Sequence, residues 1–303
     1  MAPVAVIEAP SILGLRPSGV EGMPEALRQA GLLDRLRARD AGRIAPQTPY
    51  NATRDATTLT LNAPGIALFS RRLADAVGAV LDRGEFPLVL GGDCSILLGD
   101  LLALRRRGRY GLLFVDGHAD FYSPEANPSG EAASMDLALA TGRGPEILTN
   151  IEQRRPLVKD EDVVAFGFRD ADEQAEYGSP PLPREILAFD LPTIRRDGVV
   201  KATNEAVAHL TRATAGGFWI HVDADVLDDE IMPAVDYRLP GGLSWEELTH
   251  ALDIAIESGR AIGMEVTIYN PTLDPERAGA QGLARVIVDA LGHERLTRNR
   301  RQA

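Results

Sequence analysis

The chain has 303 residues, with 44 Asp and Glu against 32 Lys and Arg, for a formal net charge of −12. That balance argues against nucleic acid as a partner, and the single cysteine, Cys94, excludes an internal disulfide or a zinc finger. No signal peptide is recognisable at the start and no apolar run approaches the roughly 18 residues of a membrane span, so a cytoplasmic protein with no membrane partner is expected.

Taken in order, the chain alternates short apolar runs with amphipathic stretches. Residues 4–7 read as a strand. Residues 24–36 read as a helix, with Ala26, Leu27, Ala30, Leu33 and Leu36 at helical spacing. A second helix, 70–83, carries Leu73, Val77, Val80 and Leu81 on one face and stops at Gly84. Residues 88–90 form a buried strand that runs into Gly91-Gly92. A helix over 95–107 ends in arginines, which suit the negative end of a helix dipole. Strands follow at 111–115, 163–168, 186–189, 218–222 and 261–266. Helices are expected at 204–215, 244–258 and 279–291, the second opening on a capping box of Ser244 and Glu247. Residues 124–156 lack strand signals and read as excursions from the sheet edge, and the basic tail from about 295 reads as frayed. This alternation predicts a single α/β domain over 1–303 with a mostly parallel sheet of seven or eight strands.

In an open parallel sheet, ligands bind beyond the carboxyl ends of the strands. Three strand ends carry ligand-type residues: Asp93-Cys94-Ser95 after 88–90, Asp116-Gly117-His118-Ala119-Asp120 after 111–115, and Asp223-Ala224-Asp225 after 218–222. Alternate residues of extended chain share a face. Asp116, His118 and Asp120 therefore point one way, as do Asp223 and Asp225, and all five converge if the two strands are neighbours. So many carboxylates in one pocket require a cation, and carboxylate with imidazole favours a transition metal over Mg or Ca alone. His221, two residues before Asp223, points to the same face and could serve as an acid/base or hydrogen-bond partner. A core histidine held by a backbone carbonyl is the simpler alternative. His209, His250 and His293 fall in helices away from these motifs.

Read as GGDCS at 91–95, DGHAD at 116–120 and HVDADVLDD at 221–229, these motifs resemble the arginase/agmatinase (ureohydrolase) family, whose members carry GGDHS, DxHxD and (S/H)xDxDxxDP elements in this order. The opening stretch 6–32, the GFRDAD run at 167–172, the GGLS run at 241–244 and the MEV run at 264–266 resemble further family elements, so the likeness runs from about residue 4 to 290. The resemblance implies a three-layer α/β/α fold, a trimer or hexamer, and a binuclear manganese centre whose bridging hydroxide attacks a guanidinium carbon. By motif position, Asp116 and Asp223 bridge the metals, Cys94 and Asp120 complete one, and His118 and Asp225 complete the other. Glu265 is expected to pair with the guanidinium and Asp172 to lie near the far end of the substrate. Asp120, Glu265 and His221 are the expected catalytic groups.

The chain also departs from the family. Cys94 stands where a histidine is usual, which opens the site to Zn, Fe or Ni beside Mn if the thiolate ligates; otherwise it is a small buried apolar residue. Ala133 takes the place of the arginase proton-shuttle histidine. Tyr122, Ala175 and Tyr237 replace the Asn, Glu and Thr that hold the amino-acid end of arginine, which leaves Tyr122 and Tyr237 as expected substrate contacts. The reading is a metal-dependent hydrolase of a small linear amidine or guanidino compound other than L-arginine. A single-zinc amide hydrolase of the related deacetylase type and a non-catalytic ligand-binding or assembly relative are the alternatives.

Overall fold

The computed structural model describes residues 2–17 and 19–292; the tail from 295 and His293 lie outside them. Among the described residues, eight strands form one sheet: β1 (Val4–Ala9), β2 (Arg39–Arg43), β3 (Phe86–Gly91), β4 (Gly111–Val115), β5 (Val163–Phe166), β6 (Leu187–Phe189), β7 (Phe218–Asp223) and β8 (Ala261–Thr267). Their order is β2-β1-β3-β8-β7-β4-β5-β6, with every pair parallel.

An all-parallel sheet must have both faces covered, and strand alternation delivers this. Val4 and Val6 enter one apolar cluster while Ala5 and Ile7 enter the other; Leu113 and Val115 divide from Leu112 and Phe114 in the same way. The first cluster is roofed by helices Met23–Gln29, Val199–Ala213, Trp245–Glu257 and Ala278–Leu291, the second by helices Ala63–Asp82 and Leu97–Arg105. The result is the expected three-layer α/β/α arrangement.

The differences from the sequence reading are local. The strand β2 has no apolar run and is mostly exposed, so nothing in its composition announces it; its backbone simply pairs along one edge of β1. The stretch 24–36 divides into Met23–Gln29 and Leu32–Leu36, because Gly31 adopts φ 78° between them. The helix expected from residue 70 begins at Ala63, with Pro64 in its first turn, where the missing N–H costs no helical bond. The capping box at Ser244 and Glu247 is formed. The stretch 124–156 is built from short helical turns. No helix among the described residues is long and apolar enough to cross a membrane.

The adjacency that matters is β4 beside β7 and β7 beside β8, with β3 next in line. It brings all three motif-bearing strand ends to one carboxyl edge. The loop after β3 lies against the loop after β1 so closely that a Cβ on Gly92 would sit 1.9 Å from the carbonyl oxygen of Ser11. Only glycine fits there.

Candidate metal centre

Each strand end hands its side chains to the site through a short, self-bonded turn. After β3, Asp93 accepts hydrogen bonds from the backbone N–H of Ser95 (2.9 Å) and of Gly14 (3.2 Å), which pins the turn that presents Cys94. After β4, Asp116 Oδ1 accepts the N–H of His118 at 2.7 Å. Asp120 sits at φ 42°, a left-handed conformation that costs a non-glycine residue on the order of 1 kcal/mol. The N–H of Ala119, just before it, is held by Asp170 at 3.0 Å. After β7, Asp223 Oδ1 accepts the N–H of Asp225 at 2.8 Å, and Asp225 Oδ1 accepts that of Gly117 at 3.0 Å, tying the two motif loops together.

The functional atoms then converge. Cys94 Sγ lies 2.8 Å from Asp223 Oδ2 and 3.3 Å from Thr267 Oγ1. His118 Nδ1 is 2.9 Å from Asp225 Oδ2. His221 Nε2 is 3.4 Å from Asp116 Oδ2, and its Nδ1 is 2.9 Å from Glu265 Oε1. Three overlapping groups have ligand atoms within 4.8 Å of one another: Cys94, Asp116, His221 and Asp223; Cys94, Asp120 and Asp136; Asp116, His118 and Asp225.

Electrostatics shows what the arrangement lacks. Burial, followed by the neighbouring Asp225, raises Asp116 to about 6. Burial and adjacent carboxylates push Asp120 and Asp223 well above the usual carboxylate range, and burial together with Asp223 raises the Cys94 thiol well above the ordinary thiol value. Asp136 is also raised, chiefly by burial. Burial pulls His118 down, but Asp225 outweighs it and holds the imidazole at about 9; Asp225 is in turn held low. Asp116 Oδ2, His221 Nε2 and both Asp136 carboxyl oxygens are buried without hydrogen-bond partners. Orphaned acceptors crowded against one another are what a bound cation resolves, so the residues present fit a metal centre.

These shifts carry a pH consequence. Asp116 has an ordinary value of 3.8 and rises to about 6 in the fold; Glu265 rises from 4.5 to about 8. Between those values the folded chain holds protons that the unfolded chain has lost, so stability falls as pH rises. The metal-free protein should therefore lose about 5 °C in melting temperature between pH 5 and pH 8. The metal-loaded protein should lose less, because metal replaces the proton on Asp116 but not the one on Glu265. Thermal scans across this range check it; a flat metal-free profile would contradict it.

A cavity opens over this floor. Cys94, His118, Asp120, Asp223 and Asp225 line it together with Tyr122, Glu131, Glu173, Tyr177 and Tyr237, of which Tyr177 and Tyr237 are about half exposed. Tyr122 and Tyr177 pack edge to face with centroids 6.2 Å apart. Tyr237 donates its hydroxyl proton to Glu131, which also accepts the backbone N–H of Arg16 at 2.9 Å.

Two expected substrate contacts are corrected by this geometry. Glu265 pairs in register with His221, two residues below the Asp223–Thr267 pair at the strand ends, so it is fully buried behind the site, and Ile268 lines the cavity instead. Asp172 is exposed on the short helix Ala171–Glu176 and does not line the cavity, while Glu173 does. His221 bonds a carboxylate rather than a backbone carbonyl. The sequence reading assigned no role to Asp136, Glu131 or Glu173. An aspartate inside the buried small-residue run 132–140 was the one signal for Asp136.

Fold and site together define an α/β protein with a buried, carboxylate-rich cation centre at the carboxyl edge of a parallel sheet. The chain belongs to the arginase family, whose pattern (Arginase family) matches residues 2–292. It is 33% identical to an arginase of Bacillus caldovelox over 304 residues, covering 98% of this chain and all of that one. The solved structure of arginase from Bacillus caldovelox superposes with a TM-score of 0.86 at 30% identity, over 97% of this chain and 99% of that one. The agmatine ureohydrolase of Thermoplasma volcanium, at 20% identity and a TM-score of 0.70 over 96% of this chain and 89% of that one, shares the fold.

Proposed function

We propose that the chain is a metal-dependent hydrolase that cleaves a C–N bond of a small linear guanidino or amidine compound other than L-arginine, with two divalent cations held by Cys94, Asp116, His118, Asp120, Asp223 and Asp225. The observation that carries this reading is the cavity itself. Its lining includes the proposed ligands Cys94, His118, Asp120, Asp223 and Asp225, and beyond them it adds Glu131 and Glu173 and no Lys or Arg, which suits a positively charged substrate. The relatives named above at 30% identity or more are arginases, and the family match favours this reading over a single-zinc amide hydrolase.

When bound, the two cations supply a water acidic enough to act as a nucleophile near neutral pH. The chain's own residues do the rest. Asp120, at the cavity floor, is placed to take a proton and return it to the departing nitrogen, a role that Ala133, also on the lining, cannot perform. Tyr122 and Tyr177 offer aromatic walls to a delocalised cation. Glu131 and Glu173 also line the cavity, so a second positive group on the substrate is favoured over a carboxylate. Tyr122 and Tyr237, where arginine-specific residues would stand by resemblance, are what argue against L-arginine.

A panel of guanidino and amidine compounds, assayed for amine or urea release with Mn, Zn, Co or Ni supplied, tests this. Turnover of a member with a cationic or neutral far end, exceeding that of L-arginine, is expected. No release from any member by protein shown to hold two metals would overturn the hydrolase reading; L-arginine as the best substrate would overturn the specificity.

A further inference from the structure

We propose that the innermost cation of this site is bound by a thiolate–imidazole–carboxylate set, Cys94, His221, Asp116 and Asp223, and is a zinc-class ion rather than manganese. The inference rests on the metal-dependent reading above and adds a ligand, His221, that strand alternation alone left as a neighbour.

The imidazole of His221 is fixed by two contacts. Its Nδ1 meets Glu265 Oε1 at 2.9 Å. When Glu265 is ionised it accepts the Nδ1 proton and leaves the Nε2 lone pair facing the site, the arrangement by which a carboxylate orients a metal-binding histidine. Phe114 stacks on the ring at 4.5 Å and 9°, so the ring plane is set by packing. Its Nε2 has no hydrogen-bond partner and points at Asp116 Oδ2, 3.4 Å away and equally unpartnered; both residues are fully buried. An Nε2 lone pair and a carboxylate oxygen held face to face at that separation are joined by a proton or by a metal ion, and in the metal-loaded chain the ion takes the proton's place.

Cys94 closes the same set from the β3 side, its sulfur against Asp223 Oδ2. In the set formed by Asp116, His118 and Asp225 the donors are oxygen and nitrogen only. The two positions thus differ in softness. Sulfur with imidazole favours zinc or cobalt over manganese, while the oxygen-rich outer set has no such bias. Glu265 becomes intelligible as well: it is a positioning residue for His221 rather than a contact for substrate.

X-ray absorption on the full chain carrying one equivalent of zinc tests this without relying on turnover. The expected spectrum shows sulfur and imidazole in the same zinc shell, and the cobalt-loaded protein shows a thiolate charge-transfer band. In His221→Gln the imidazole contribution at the sulfur-bound metal disappears and zinc affinity falls at least tenfold. A zinc shell with sulfur but no imidazole in the unaltered protein, or a His221→Gln variant with the same spectrum and affinity, would overturn the proposal while leaving the hydrolase reading intact. Should His221→Gln fail to fold, the spectrum of the unaltered protein decides alone. Failure of any metal to bind would overturn both.

Discussion

Asp223→Asn should yield a folded chain that has lost its metals and about a thousandfold of its hydrolytic rate. Asp223 sits where two demands meet. Its Oδ1 accepts the N–H of Asp225 and its Oδ2 faces Cys94 Sγ. Asparagine keeps the size and one acceptor, so the turn after β7 survives. What it removes is a negative charge of the inner set that, by the family resemblance, also bridges to the outer one. The sign for stability is opposite to that for activity. Burial and Asp225 push the Asp223 carboxyl well above its usual range, so without metal the charged form is a liability, and the neutral amide should melt no lower than the metal-free parent at pH 8. Elemental analysis, an activity assay and a thermal scan of the one variant separate these effects. Full metal content with full activity would remove Asp223 from the centre.

Gly92→Ala should cost about 3 kcal/mol or more, lowering the melting temperature by roughly 10 °C. The added Cβ would stand 1.9 Å from the carbonyl oxygen of Ser11, 2.9 Å from its carbon and 3.0 Å from its nitrogen. All three are backbone atoms, so no side chain can swing aside. The N–H of Asp93 donates to that same Ser11 oxygen at 2.9 Å, so pushing the two loops apart also breaks the tie that holds the Cys94 turn. The variant should therefore lose metal affinity together with stability. Gly84→Ala is the control: Gly84 has φ 69° and nothing within 4 Å of a built Cβ, so its cost is confined to local backbone strain of about 1 kcal/mol. Equal melting temperatures for the two variants would contradict the close-approach argument.

The parts of this protein that could be read from its residues share one property: their signal is local. Runs such as 111–115 and 218–222 are apolar because both faces of the sheet are covered, and Asp116, His118 and Asp120 share a face because strand geometry alternates. The parallel sheet and the convergence of the motifs followed from that. What stayed hidden depended on register and on exposure. The edge strand β2 is polar because one side of it meets water. Glu265 belongs to a motif whose place in β8 looks terminal in the sequence, yet pairing with His221 sets it two residues short of the strand end. Asp172 and Glu173 are adjacent in the chain, and only the helix phase of Ala171–Glu176 decides which of them faces the cavity. Asp136 has no neighbours in sequence that mark it as a ligand; it is the fold that buries it beside Cys94 and Asp120.

The measurement that bears most directly on all of this is the metal stoichiometry of the purified chain, determined by elemental analysis after equilibration with manganese and zinc and again after chelation. Two divalent ions per chain, one of them zinc retained in the presence of excess manganese, with a melting temperature that falls on chelation and recovers on re-addition, is the predicted result. A chain that holds no transition metal under any of these conditions, and whose melting temperature ignores every metal supplied, would show that the buried carboxylates, Cys94 and His221 are not a metal centre.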